Sequence, residues 1–384
     1  MQALTTVLLT LGFVLNEQTP SNQESKAVTN QARAFSPQQL PQPAVPADPL
    51  ELVAGDAQPV QTVDQRAAAT TLLLKASTLL DIRPYPYYRK TTFTSFGSTA
   101  SDGAWQLEDI TMAGHHYRWT AQGPGYSVIN IYGDQTLYSS QPALTLPVRL
   151  SQARSAIWFV RPMVGPHATL RTAMGSLNGV SVECILLSNF GTAKGAVGGR
   201  RWEETEYCID QTSGSLMTYS PAPGFYVQYD YSQAFHFHDR LIPNKFIITQ
   251  AGRVIIEAQT TSVSESAADA ALFQTAGLNQ IGVGSIMTGP SPLRTFYPSE
   301  LVTEGTSHVV VLHAMQSATG QISDIEMLAS SNPALNSAAV DFVSKWQTRR
   351  RPNQEVEPGA TPLSYEVLVT VTFFARPKPS IQMN

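Results

Sequence analysis

Between Lys90 and Ser262 the chain repeats one pattern: short runs rich in Tyr, Thr, Val, Ile and Trp, each broken by Gly, Pro, Asp or Asn. Lys90–Phe96, Trp105–Met112, Tyr117–Ala121, Tyr126–Tyr132, Val180–Leu187, Trp202–Ile209, Phe225–Tyr231, Lys245–Thr249 and Val254–Ser262 are runs of this kind. Runs this short, bounded by turn residues, predict strands joined by hairpins and therefore an antiparallel sheet. Ahead of them Asp64 can cap a helix over Arg66–Leu80, where Leu72, Leu73, Ala76, Leu79 and Leu80 recur at helical spacing. That helix is expected to cover the sheet. Leu150 to about Val160 fits a helix or a strand. The fold class expected is mostly β, an α+β chain with a many-stranded antiparallel sheet behind an N-terminal helix.

At 384 residues the chain has room for two or three folded units. Hydrophobic residues make up 42% and charged ones 14%, which excludes wholesale disorder and leaves a large share for Gln, Ser, Thr, Gly and Pro. A net charge of -4 leaves no large basic surface, so nucleic acid is not an expected partner. Cys184 and Cys208 lie in strand-like segments that a Gly-rich stretch could bring side by side, so a disulfide is open to them in an oxidising compartment. The alternative is two small buried residues. The apolar run Ala3–Leu15 resembles a signal h-region and is too short for the roughly 20 residues that cross a bilayer core. It reads as an export signal or a truncated anchor. From 16 to 62 a Pro- and Gln-rich stretch reads as a tether. The divisions expected are 1–15, the tether 16–62, a β-rich domain 63–265, a connector 266–292, a C-terminal domain 293–376 and a tail 377–384.

In the C-terminal region, Tyr297-Pro298 precedes a strand over His308–Met315, a Gly320 turn and an alternating strand over Gln321–Met327. Ser330-Ser331-Asn332-Pro333 then combines a cap with proline at the first helical position. Leu335, Ala338, Ala339, Phe342, Val343 and Trp346 form one apolar helical face, and Tyr365, Val367, Val369, Val371 and Phe373 alternate along a last strand. This β-β-α-β order resembles the TonB C-terminal domain family, on Gly320, Ser330-Ser331, Leu335, Ala338-Ala339, Trp346, Pro352 and Val367–Phe373. The chain departs from the family at Asn332, where Gly is usual, and at Gln347-Thr348, which lacks the usual aromatic. The resemblance implies capture of an outer-membrane transporter peptide by strand addition, with Tyr365, Val367, Val369, Val371, Phe373, Arg349, Arg350 and Arg351 as candidate contacts. It further implies inner-membrane proton-channel partners and a homodimer through the C-terminal domain, although Ala3–Leu15 does not supply the full membrane helix an energy transducer needs.

Within the middle domain, His116–Trp119, Ile131–Tyr138 and Arg201–Leu216, the last ending at a Thr-Ser-Gly turn, resemble LolA-like envelope carriers. That resemblance implies a curved half-barrel whose concave face holds lipid or lipoprotein acyl chains. The reading is therefore a non-enzymatic, TonB-like periplasmic protein, with or without inner-membrane anchorage. A LolA-like carrier is the alternative.

Other constellations carry less. His236 and His238 could share a strand face and seed a metal site, without an evident third ligand. Glu203, Glu204 and Glu206 near Asp210 read as an exposed strand face rather than paired catalytic carboxylates. Gly195–Gly199 lacks the Lys-Ser/Thr of a phosphate loop, and no Gly-x-Ser-x-Gly elbow occurs. No cofactor or metal is expected.

Overall fold

The computed structural model describes residues 57–374 apart from 98–101, 113–115, 134–135, 142–145, 160–161, 190–195, 198, 202, 267–268, 282–290, 299–307, 318–319 and 347–364. The signal-like run, nearly all of the tether, and the arginines Arg349, Arg350 and Arg351 lie outside the described residues. In chain order the strands begin with β1 (Gln58–Pro59), β2 (Tyr87–Ser95), β3 (Gly103–Met112), β4 (His116–Gly123), β5 (Tyr126–Gly133) and β6 (Thr136–Ser139). Next come β7 (Thr169–Leu177), β8 (Val180–Ser188), β9 (Ala196–Val197), β10 (Arg200–Arg201), β11 (Thr205–Asp210), β12 (Leu216–Ala222) and β13 (Phe225–Asp230). β14 (Phe235–Phe237), β15 (Arg240–Ile242), β16 (Lys245–Gln250), β17 (Arg253–Glu265) and β18 (Asn279–Ile281) follow. The C-terminal module holds β19 (Ser291–Phe296), β20 (His308–Gln316), β21 (Ile322–Ser330) and β22 (Tyr365–Phe374). The helices are α1 (Val63–Leu80), α2 (Val148–Ile157) and α3 (Asn336–Ser344).

Fourteen strands form one antiparallel sheet in the order β1-β7-β8-β11-β12-β13-β16-β17-β2-β3-β4-β5-β6-β18. Its edges are two very short strands: β1, from the end of the tether, pairs with β7, and β18, from the connector, pairs with β6. Short edges of this kind offer little unpaired backbone to another chain.

The helix cap is not Asp64. Thr62 caps α1, its Oγ1 accepting from Gln65 N while Gln65 Oε1 accepts from Thr62 N, a reciprocal box that starts the helix before Arg66. The ambiguous segment after Leu146 is helical. Ala69, Leu73 and Ala76 of α1 and Leu150, Ala153 and Ala156 of α2 share one core with strands at both flanks of the sheet.

The curl of the sheet follows from two consecutive residues. Trp158 meets Tyr117 on β4 at 4.8 Å between ring centroids, and Phe159 meets Tyr219 on β12 at 5.2 Å and Tyr207 on β11 at 6.0 Å. β11 and β4 stand fourth and eleventh in strand order, about 33 Å apart in a flat sheet at ~4.8 Å per strand. Neighbouring side chains can touch both only if the sheet wraps around the helices.

The C-terminal sheet has the order β19-β22-β20-β21, with β19 parallel to β22 and the other pairs antiparallel. The expected β-β-α-β order is present, with one strand more: β19 crosses the expected boundary at 292, beginning in the last two residues read as connector. Asn332 Oδ1 accepts from Ala334 N and opens a 3₁₀ turn over Pro333–Leu335 that leads into α3. Leu335, Ala339 and Val343 pack on Val310, Leu312, Val369 and Val371. The opposite face of this sheet, with Val309, Val311, Leu328, Ala329 and Leu368, joins the core of the large sheet.

Candidate functional site

A buried ionic cluster occupies part of the wrapped interior. Asp109, buried on β3, accepts from Arg89 Nη2, Arg154 Nη1 and Trp158 Nε1, each at 3.2 Å. Two guanidinium groups face one carboxylate, and the Trp119 ring 3.6 Å from Arg154 Cζ offsets part of the second charge. Burial lowers the Arg154 pKa against the pull of Asp109, and burial raises Tyr219 to about 12. The cleft bounded by Leu80–Arg83, Tyr87, Arg89 and Ile157–Phe159 has about 10 Å³ of free volume, room for one water.

Open space lies on the outer side of α1 instead. Val63, Ala67, Thr70 and Leu74 face Val164 and Pro166 across a groove of about 480 Å³. Its far wall is held by Arg66, which donates to Ala168 O and Gly165 O, both at 2.7 Å. Asn189 secures the same wall, donating to Met163 O and accepting from Gly165 N. Val63, which lines the groove, is 83% exposed, so apolar surface is presented to solvent beside this wall. No periodic pattern along the chain marks this groove, because one of its walls, residues 164–166, is loop.

The Cys184–Cys208 disulfide is formed. The two residues are direct cross-strand partners on β8 and β11, with Cα atoms 4.0 Å apart. They lie with Val182 and Leu186 on the face away from the helices, whereas Ile185 and Ile209 point into the helix-covered core.

The glutamates beside it are not an exposed face. Glu203, Glu204 and Glu206 are all buried. Glu204 takes a two-pronged pair from Arg171 at 2.7 Å, and Glu206 accepts from Arg200 Nη1 at 3.1 Å. β11 sits inside the sheet, and arginines from β7 and β10 supply the counter-charges that make burial tolerable. The histidines are likewise placed apart: His236 is exposed on β14, while His238 stands in the turn beyond it at φ 53°, stacked on Tyr85 at 4.2 Å.

The peptide-binding candidates of the last strand take a different position from the expected open edge. β22 is flanked by β19 and β20, so its backbone is paired on both sides. Val367, Val369, Val371 and Phe373 are buried against the α3 side, as core rather than contact surface. Tyr365 is the first residue of the strand and pairs with Gln316. Of the module's outer strands, β21 meets the large sheet: a Cβ on Gly224, in the β12–β13 turn, would lie 2.6 Å from the Leu328 carbonyl carbon. The outer side of β19 has no strand partner among the described residues.

No protein-family model matches the chain, and no curated protein matches it. Among solved structures it is similar to a LolA superfamily protein from Nitrosomonas europaea, at 10% identity and TM-score 0.37, over 54% of this chain and 97% of that one. A Vibrio parahaemolyticus domain described as outer membrane lipoprotein-sorting matches at 10% identity and TM-score 0.33, over 53% of this chain and 95% of that one. The MucA/MucB complex of Pseudomonas aeruginosa matches at 12% identity and TM-score 0.25, over 66% of this chain and 81% of that one. The likeness of this chain to LolA-like and MucB structures is one of fold.

Proposed function

We propose that the chain is a cell-envelope binding protein, exported to the periplasm of a Gram-negative cell, that holds an acyl chain of a lipid or lipoprotein in the groove between α1 and residues 164–166. The groove carries this reading: Val63, Ala67, Leu74, Val164 and Pro166 give it an apolar lining, Val63 is exposed, and a wall held by Arg66 and Asn189 spares a ligand the cost of ordering it. A C16 fatty acid carrying a fluorescent reporter is the direct probe. Leu74→Asp is expected to weaken its binding by about tenfold or more, since a carboxylate would replace apolar contact worth ~1.5 kcal/mol or more. Lipid identified by mass spectrometry in organic extracts of the purified full chain would support the reading. Lipid-free protein with unchanged probe affinity in Leu74→Asp would end it.

A second reading keeps the C-terminal module as the binding element for an outer-membrane transporter peptide. The unpaired side of β19 supports it, because strand addition needs open backbone. Titrating the full chain with such peptides, with and without Arg294→Pro, which removes a β19 amide on the side away from β22, tests it. Equal affinity for both chains would count against addition at this edge.

A further inference from the structure

The contact between the C-terminal module and the large sheet contains a continuous string of polar side chains. Glu366 on β22 accepts from Gln152 Nε2 of α2 at 2.7 Å and lies 2.8 Å from His313 Nε2 of β20. Gln152 Nε2 also donates to Gln250 Oε1 at 3.2 Å, and both Gln250 Nε2 and the Arg253 guanidinium reach Glu326 on β21. Arg149 on α2 donates to Gln152 Oε1 at 3.0 Å, with Glu366 and Asp102 as the carboxylates acting on its charge. His313 and Arg149 are each only 5% exposed, so the middle of the string is shielded from water and salt.

At neutral pH the seam sets opposite charges against each other: Glu326, Glu366 and Asp102 face Arg149 and Arg253, with His313 against Glu366. In acid that opposition weakens. Once Glu366 is protonated, Arg149 and Arg253 keep their charge in a poorly hydrated contact that has lost a buried counter-charge. The apolar patch of Val309, Val311, Leu328, Ala329 and Leu368 remains on the module's side of the contact.

We propose that this seam is a proton-operated latch, closed at neutral pH, whose opening in acid separates the C-terminal module from the large sheet while both stay folded. Burial works to raise the Glu366 pKa, but His313, Gln152 and Arg149 outweigh it and hold the carboxyl below its ordinary 4.5. A depressed carboxyl contributes its attraction fully above that ordinary value and loses it as pH falls through the lowered one, so the latch opens below 4.5.

Small-angle scattering and far-ultraviolet circular dichroism of the full chain, recorded together from neutral pH downwards, test the latch. The expected result is a reversible rise in radius of gyration below 4.5 that precedes any loss of β signal. Glu326→Gln combined with Glu366→Gln removes both anions that the module brings to the seam at every pH and is expected to give the expanded form at neutral pH, with the acid step abolished. Coincident loss of compactness and β signal in the unsubstituted chain would overturn the proposal without any variant. A folded double variant that stays compact at neutral pH would overturn it as well.

Discussion

Replacing Arg200 by alanine is expected to lower the unfolding free energy by about 3–5 kcal/mol, the cost of leaving a buried charge without its partner. Arg200 is fully buried, with Nη1 on Glu206 Oε2 and Ser220 Oγ, Nη2 on Glu204 O and Ser220 O, and Nε on Glu204 O. One guanidinium thus ties the short β9–β10 hairpin to β11 and β12. Without it Glu206 remains sealed inside and must be protonated or hydrated for the chain to fold. Urea denaturation of the two proteins gives the difference. Arg83→Ala is the matched control: its pair with Asp81 at 2.6 Å has side chains 46% and 30% exposed, and the loss there should stay under about 1 kcal/mol. Equal losses in the two variants would mean that the buried hub carries no more than a surface pair.

Gly224→Ala is expected to cost about 2–5 kcal/mol, from a left-handed backbone (~1–2) and overpacking (~1–3) together. At φ 84° the residue completes a Pro-Gly turn, and an added Cβ would meet the carbonyl group of Leu328, which is strand backbone and cannot swing aside. The comparison is Gly179→Ala, at φ 83° in the β7–β8 turn with open space where its Cβ would be. That variant isolates the backbone term. If thermal melts of the two show equal shifts, β21 does not press on the turn as the structure has it.

Much of the large sheet is legible in the sequence because its hairpins are short and alternation is clear. The run expected at Val180–Leu187 is β8, that at Phe225–Tyr231 is β13, and that at Val254–Ser262 lies within β17. β7 and β12 are harder to see, since Ala173, Gly175 and Ser176 blur one and Pro221 interrupts the other. α2 is ambiguous for a physical reason: Arg149 and Gln152 stand on its buried side, facing Glu366 of the distant last strand rather than a greasy core. The pairing of the two cysteines follows from strand adjacency, whereas the burial of Glu204 and Glu206 depends on Arg171 and Arg200, partners that spacing along one strand cannot reveal. The last strand carries the alternation of an edge, but β19 reaches it from a stretch with Pro292 that reads as linker. The groove on α1 is the least legible, since its second wall is a loop positioned by Arg66 and Asn189.

The two short strands that finish the large sheet belong to stretches that the sequence would assign to a tether and a connector. A division of the chain at 63 and 265 follows composition faithfully and cuts through architecture. The piece between those points would carry bare flanks on β7 and β6, each ready to zip onto another copy. For this chain, what looks like packaging between domains is selvedge: trimmed away, it leaves a fabric that frays into its neighbours.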